Sequence, residues 1–125
     1  VFPVISIQTA YTSMSFPGKK RGEDNYPPTT YESAPDVELR LTGLKIGDLV
    51  LAGISGELMT EIGLSVKKHS PYSNTVIVTH CNGSSGYICT DKAYSRGGYE
   101  IRVSRLMPGV EQPLILKFQN MIRSF

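Results

Sequence analysis

The sequence predicts an α/β fold: a mixed sheet with a β-hairpin and a βαβ unit, closed by a C-terminal amphipathic helix. Three observations carry this prediction. First, Val37, Leu39 and Leu41 alternate with polar neighbours, Leu44 and Ile46 follow, and Gly47-Asp48 separates them from the apolar run Leu49, Val50, Leu51, Ala52. Two apolar runs around a two-residue turn containing glycine form a hairpin. Second, that apolar run is followed by Met59, Ile62, Gly63 and Val66 at helical spacing, and then by a β-branched run at 75–79. Strand, helix, strand in so short a length implies parallel pairing through a crossover. Third, Leu114, Ile115, Phe118, Met121 and Ile122 share one helical face behind Pro113, which suits a first helical turn.

In chain order, residues 4–10 alternate loosely and predict a strand. Residues 16–36 hold Pro17, Pro27, Pro28, Pro35, Gly18 and Gly22 among many charges, and predict a long loop or linker. The chain thus divides into 1–36, an extended strand and Pro/Gly-rich loop, and 37–125. The run 49–52 is apolar on successive residues, as in strands buried on both faces, and 75–79 reads the same way. The helix between them is expected over 58–68, with Lys67 and Lys68 suiting its C-terminal dipole, His69 solvated beside it, and Pro71 ending it. A short helix is expected at 91–95 and an extended segment at 99–103.

Composition sets bounds. A chain of 125 residues suffices for one domain with a real core. A net charge of +2 gives no reason to expect a nucleic-acid partner, and Lys19-Lys20-Arg21 reads as a solvated loop. No apolar run approaches the ~20 residues of a membrane span, and no signal-peptide pattern is visible. A first residue Val1 rather than Met is expected of a processed or truncated piece of a longer protein. Cys81 and Cys89 flank a Gly/Ser-rich loop, where they either close a small disulfide or serve as small hydrophobes. Asn82-Gly83-Ser84 matches a glycosylation sequon, which matters only in a secreted eukaryotic protein.

The segment Gly53-Ile54-Ser55-Gly56-Glu57 carries the chemistry of greatest interest. It closes an apolar strand with two glycines and puts a carboxylate at the turn, where open α/β sheets bind ligands. A carboxylate there can bind a metal, act as a base, or favour the helix N-terminus. The stretch nearly forms a Gly-x-Ser-x-Gly nucleophile elbow, but Glu57 occupies the second glycine, and both His69 and His80 precede Asp91. A serine-hydrolase triad is therefore not expected. Glu57, His80 and Tyr87 can converge at one sheet edge, with Cys81 adjacent, so His80 is a candidate extra metal ligand. Tyr87, Tyr94 and Tyr99 crowd into thirteen residues beside Asn82 and Arg96; packing with hydroxyls in water accounts for them on composition alone.

Gly56-Glu57-x-x-Thr60, then Thr79-x-Cys81-Asn82 with Tyr87-Ile88-x-Thr90, then Ala93-Tyr94 and Tyr99-Glu100, resemble the catalytic domain of neutral, non-lysosomal ceramidases. The likeness is to the short bacterial members of the neutral/alkaline ceramidase family and covers about 39–122. It implies that 37–125 is the C-terminal portion of a larger catalytic domain with a single zinc ion. Two ligands would be Glu57 and Tyr87. The other two, histidines from the N-terminal part of the domain, have no counterpart here. Tyr99, twelve residues after Tyr87, would be the catalytic tyrosine and contact substrate, with Asn82 as a second substrate-binding residue. The implied activity is hydrolysis of the amide of an N-acyl lipid, ceramide or related, by metal-activated water. The implied partners are that substrate and the N-terminal remainder of the same enzyme, with no nucleic acid and with a membrane surface reached through the substrate alone.

The resemblance suggests a secreted, periplasmic or membrane-associated location. This chain departs from the family at Leu58-Met59-Thr60 and Gly63-Leu64-Ser65, where ceramidases carry threonines and an arginine pair, and at Ser84, which replaces a tyrosine. With two ligands missing, the 125-residue chain alone is expected to be inactive. The alternative is a non-catalytic α/β domain that keeps the fold and binds a ligand or partner.

Overall fold

The computed structural model describes residues 4–22 and 31–125. In chain order the elements are β1 (Ile7–Lys19), β2 (Ser33–Ile46), β3 (Leu49–Ile54), β4 (Glu57–Leu58), α1 (Thr60–Lys68), β5 (Asn74–Val78), β6 (Tyr87–Ile88), α2 (Asp91–Arg96), α3 (Tyr99–Val103) and α4 (Glu111–Arg123). The predicted α/β class holds. A four-stranded mixed sheet runs β1-β2-β3-β5, and β4 and β6 form a separate two-stranded ladder. The hairpin joins β2 to β3 through Gly47-Asp48, with Ile46 opposite Leu49. Gly47 sits at φ +57°, the left-handed conformation that glycine supplies at the first central position of such turns. β3 and β5 pair in parallel across α1, which completes the βαβ unit.

One face of this sheet makes the core. Leu39, Leu41, Val50, Ala52 and Ile54 point inward and are buried against Ile62 and Val66 of α1 and Leu114, Phe118 and Ile122 of α4. All five apolar residues predicted for the inner face of α4 are buried. Among the described residues no helix is long and apolar enough to cross a membrane.

Several elements differ from the sequence-based expectation. β1 runs on to Lys19 and β2 starts at Ser33, so the two ends of the predicted loop at 16–36 are strand; residues 23–30 lie outside the described residues. Pro17 is tolerated because β1 is an edge strand and the register shifts there, between Phe16 and Gly18. β5 is not buried on both faces: it is the other edge, with Thr75 inward and Val76 and Val78 exposed. The segment 99–103 is helical rather than extended, because Gly97 and Gly98, at φ +72° and +117°, redirect the chain after α2. Cys81 and Cys89 are both free thiols.

Lys19 is the largest departure. It is only 3% exposed, not a solvated loop residue. Its Nζ donates to the Ser104 carbonyl at 2.6 Å and lies over the Tyr31 ring. Around it the end of β1 is strapped to 102–107: the Lys19 N–H donates to Arg105 O, Gly22 N–H to Arg102 O, and Met107 N–H to Pro17 O. A second small core of Cys89, Ala93, Tyr94 and Ile101 fills the space between this strap and β6.

Tyr94 anchors that second core by donating from its hydroxyl to Leu106 O at 2.7 Å. Tyr94→Phe is expected to destabilise the fold by about 1–2 kcal/mol, measured by urea denaturation. Burial raises the Tyr94 phenol above its ordinary 10.0. The stability this contributes is complete below pH 10 and is lost as pH rises through the raised value. Lys19 acts in the opposite sense, because burial lowers its ammonium from 10.5. The alkaline fall in urea midpoint above about pH 10 should therefore be shallower in Tyr94→Phe than in the parent chain; equal slopes would remove the assignment.

Candidate metal and substrate site

The site is built by two short strands with no periodicity of their own. After β3 the chain bends at Ser55-Gly56 and enters β4, where the Glu57 N–H donates to Gly86 O at 2.9 Å and the Met59 N–H to Ile88 O at 3.0 Å. This parallel ladder sets Glu57 opposite Tyr87 and Leu58 opposite Ile88. The expected helix start is thereby corrected. α1 begins at Thr60, and Glu57 is held by strand pairing rather than placed at a helix N-terminus. Neighbouring strands lie about 4.8 Å apart, so register partners present their side chains together on one side.

Glycine makes the approach possible. A Cβ on Gly56 would lie 2.7 Å from Gly86 O, and one on Gly53 would lie 2.7 Å from Cys81 Sγ. Ser55, the centre of the near-elbow, is buried; its Oγ accepts from the Arg40 N–H and lies 2.8 Å from Ser85 Oγ, which donates to Glu38 O. It stitches β2, β3 and the 80–88 loop together and faces no solvent. The nucleophile elbow is excluded on geometry as well as on motif.

The structure brings four of the five predicted site residues to one place. Glu57 and Tyr87 line the same open depression of about 320 Å³, with Thr60, Arg96 and Glu100. The His80 Nε2 lies 3.4 Å from Glu57 Oε2, both side chains about half exposed. Tyr99, at the start of α3, meets Tyr87 edge to face with ring centroids 5.9 Å apart, and the Arg102 guanidinium lies over its ring. Asn82 stands apart: its Nδ2 donates to Thr42 Oγ1 and its carbonyl accepts from Arg40. Both His80 and Asn82 adopt left-handed backbone conformations, φ +52° and +59°, a region in which Asn and His are enriched among non-glycine residues.

Electrostatics mark the depression as acidic. The Glu57 carboxylate is the main cause that raises the Tyr87 phenol above its ordinary value, followed by desolvation and then by Tyr99 and Glu100. Tyr87 is therefore a protonated donor in this arrangement. Among the described residues no three His, Cys, Asp or Glu side chains gather into a metal cluster. Glu57, His80 and Tyr87 carry a carboxylate, an imidazole and a phenol that could serve as metal donors, with His80 Nε2 and Glu57 Oε2 the pair held within 3.4 Å.

Sequence reasoning missed the supports. The Ser104 Oγ donates to the Tyr87 carbonyl at 2.9 Å and its own carbonyl takes the Lys19 ammonium, so Lys19 and Ser104 hold β6 and α3 in place. Neither carries a local signal, since their contact spans 85 positions. Glu100 beside Tyr99 was visible in the motif but not as a wall of the depression.

Gly56→Ala would drive a methyl into the Gly86 carbonyl that holds Glu57. It is expected to destabilise the chain by about 1–3 kcal/mol and to move the Tyr87 and Tyr99 ring resonances in NMR spectra. Unchanged ring shifts in a folded variant would show that the ladder does not set their positions.

No protein-family model and no curated protein matches the sequence. Comparison with solved structures finds a ceramidase complexed with C2, at TM-score 0.60 and 22% identity over 68% of this chain. It also finds neutral ceramidase from Pseudomonas aeruginosa, at TM-score 0.57 and 22% identity over 68% of this chain. The match takes in 14% and 15% of those chains, so this chain spans a small part of their length. The fold of the matched region is that of part of a bacterial neutral ceramidase.

Proposed function

We propose that this chain contributes one wall of a zinc-dependent amidohydrolase site that cleaves the amide of an N-acyl lipid, ceramide or a related compound. The observation that supports this reading is the β4–β6 register, which turns Glu57 and Tyr87 into one acidic depression with His80 beside them. The likeness of fold to neutral ceramidase gives the same direction.

Glu57 and Tyr87 would hold the metal, with His80 a third donor from this chain. Zinc, when bound, lowers the pKa of water toward ~7 and polarises an amide carbonyl. Tyr99, half exposed and edge to face with Tyr87, would donate its hydroxyl to the oxygen on which charge develops. Arg102, stacked on Tyr99, restricts that ring. Glu57 Oε2 lies 3.4 Å from His80 Nε2, and its charge opposes a phenolate at Tyr87, which keeps that hydroxyl protonated. Asn82 would reach substrate only after exchanging its bond to Thr42. The remaining ligands would come from the N-terminal remainder of the enzyme.

Zinc binding to the chain is the direct measurement. Glu57→Gln and Tyr87→Phe should each weaken zinc association about tenfold or more, because loss of a ligand costs at least as much as loss of a supporting group. The 125-residue chain alone should show no turnover of N-acyl sphingosine, while the complete gene product should be active and lose activity with Glu57→Gln. Zinc binding indifferent to both substitutions would favour the alternative, a non-catalytic domain that binds a ligand or partner.

A further inference from the structure

We propose that Lys19 and Arg21 are positioning residues for Tyr99, acting through the helix that carries it. α3 is five residues long, too short to be stable on its own. Its front end is loosely held: the N-cap is Gly98, at φ +117°, with no side-chain cap hydrogen bond. Ile101 is its one buried residue. A helix pinned by a single side chain can still pivot about it, and Tyr99 at the first position would swing with it.

The second attachment is at the far end. A helix leaves its last carbonyls without intrahelical partners. Residues 19–22 take three of them in succession. The Gly22 N–H donates to Arg102 O at 2.8 Å, Arg21 Nε to Val103 O at 3.1 Å, and Lys19 Nζ to Ser104 O at 2.6 Å. These form a C-terminal cap whose two side-chain donors lie 82 and 85 positions away in the chain. Both donors are cations, which suit the negative end of a helix, and bonds from charged donors are stronger than neutral ones.

Packing alone gives no reason for a lysine at the end of β1, where it is almost wholly buried. A methionine of similar length would fill the space without desolvating an ammonium. What offsets that cost is the carbonyl of Ser104, itself fully buried. The same serine donates from Oγ to the Tyr87 carbonyl at 2.9 Å, so it ties the cap to both tyrosine-bearing elements. Lys19 and Arg21 lie outside 39–122, the stretch with the motif resemblance, so the cap adds a requirement that the motif does not contain. Tyr99 is placed in this way whether or not zinc binds; an effect on turnover rests on the role proposed above for its hydroxyl.

Tyrosine ring resonances and the NOE between the Tyr87 and Tyr99 rings, recorded on the metal-free 125-residue chain, test the placement. Arg21→Met, at an exposed position, should leave the chain folded, shift the Tyr99 signals and weaken that NOE several-fold. Arg21→Lys keeps a cationic donor and should restore both. Lys19→Met should act more strongly, with its folding checked by urea denaturation; if it does not fold, Arg21→Met decides alone. In the complete gene product Arg21→Met should lower kcat for N-acyl sphingosine about tenfold, short of the ~10²-fold or more that loss of an oxyanion donor itself costs. KM and zinc affinity should be unchanged. Unmoved ring signals in folded Arg21→Met would overturn the proposal, as would an undiminished kcat or a loss that Arg21→Lys does not rescue. A complete product without turnover, with the rings moving as expected, would sink the amidohydrolase reading and leave the placement of Tyr99 standing.

Discussion

The structure depends on a ladder of two residues on each side. Everything proposed for the site follows from β4 pairing in parallel with β6, because that register alone sets a carboxylate beside a phenol. A ladder this short cannot sustain itself. It persists because the bend at Ser55-Gly56 is fixed by hydrogen bonds from the large sheet, and because glycine at 53 and 56 removes the atoms that would keep the two segments apart. The buried Ser55–Ser85 pair then locks the incoming loop to β2. The polar groups that close this junction are paired, and among the described residues no buried side-chain nitrogen or oxygen is left without a partner.

Around the ladder, the molecule divides its labour between two cores. The larger one, beneath α1 and α4, fixes the four-stranded sheet. The smaller one, with Tyr94, Ile101 and Cys89, fixes β6 and α3 and so the two tyrosines. Burial pushes the Cys89 thiol up to about 11, which keeps it protonated and suited to packing rather than reaction. Tyr31 joins this core edge to face with Tyr94. Site chemistry and site support are thus separate sets of residues, close in space and mostly remote in sequence.

What could be read from the residues follows the same division. The hairpin, the βαβ crossover and α4 announce themselves, because apolar periodicity over many positions leaves little freedom of interpretation. The convergence of Glu57, Tyr87 and Tyr99 came from a motif resemblance, not from any period. β4 and β6 are too short to show alternation, so Glu57 reads as a helix start until Gly86 and Ile88 are seen to accept from the Glu57 and Met59 N–H groups. The burial of Lys19 is invisible for another reason: a lysine is buried only when an acceptor meets its ammonium, and that acceptor is the backbone of Ser104. The segment 99–103 was expected to be extended, whereas the positive φ values of Gly97 and Gly98 turn the chain into a helix.

The strap between the end of β1 and residues 102–107 has a consequence for how the molecule assembles. Contacts that join positions so far apart close the largest loops and form slowly, since chain entropy opposes them until most other structure is in place. The far end of β1 finds its backbone partners only once residues 102–107 are in place. β6 and α3, which carry Tyr87 and Tyr99, gain the support of Lys19 and Ser104 with that same closure.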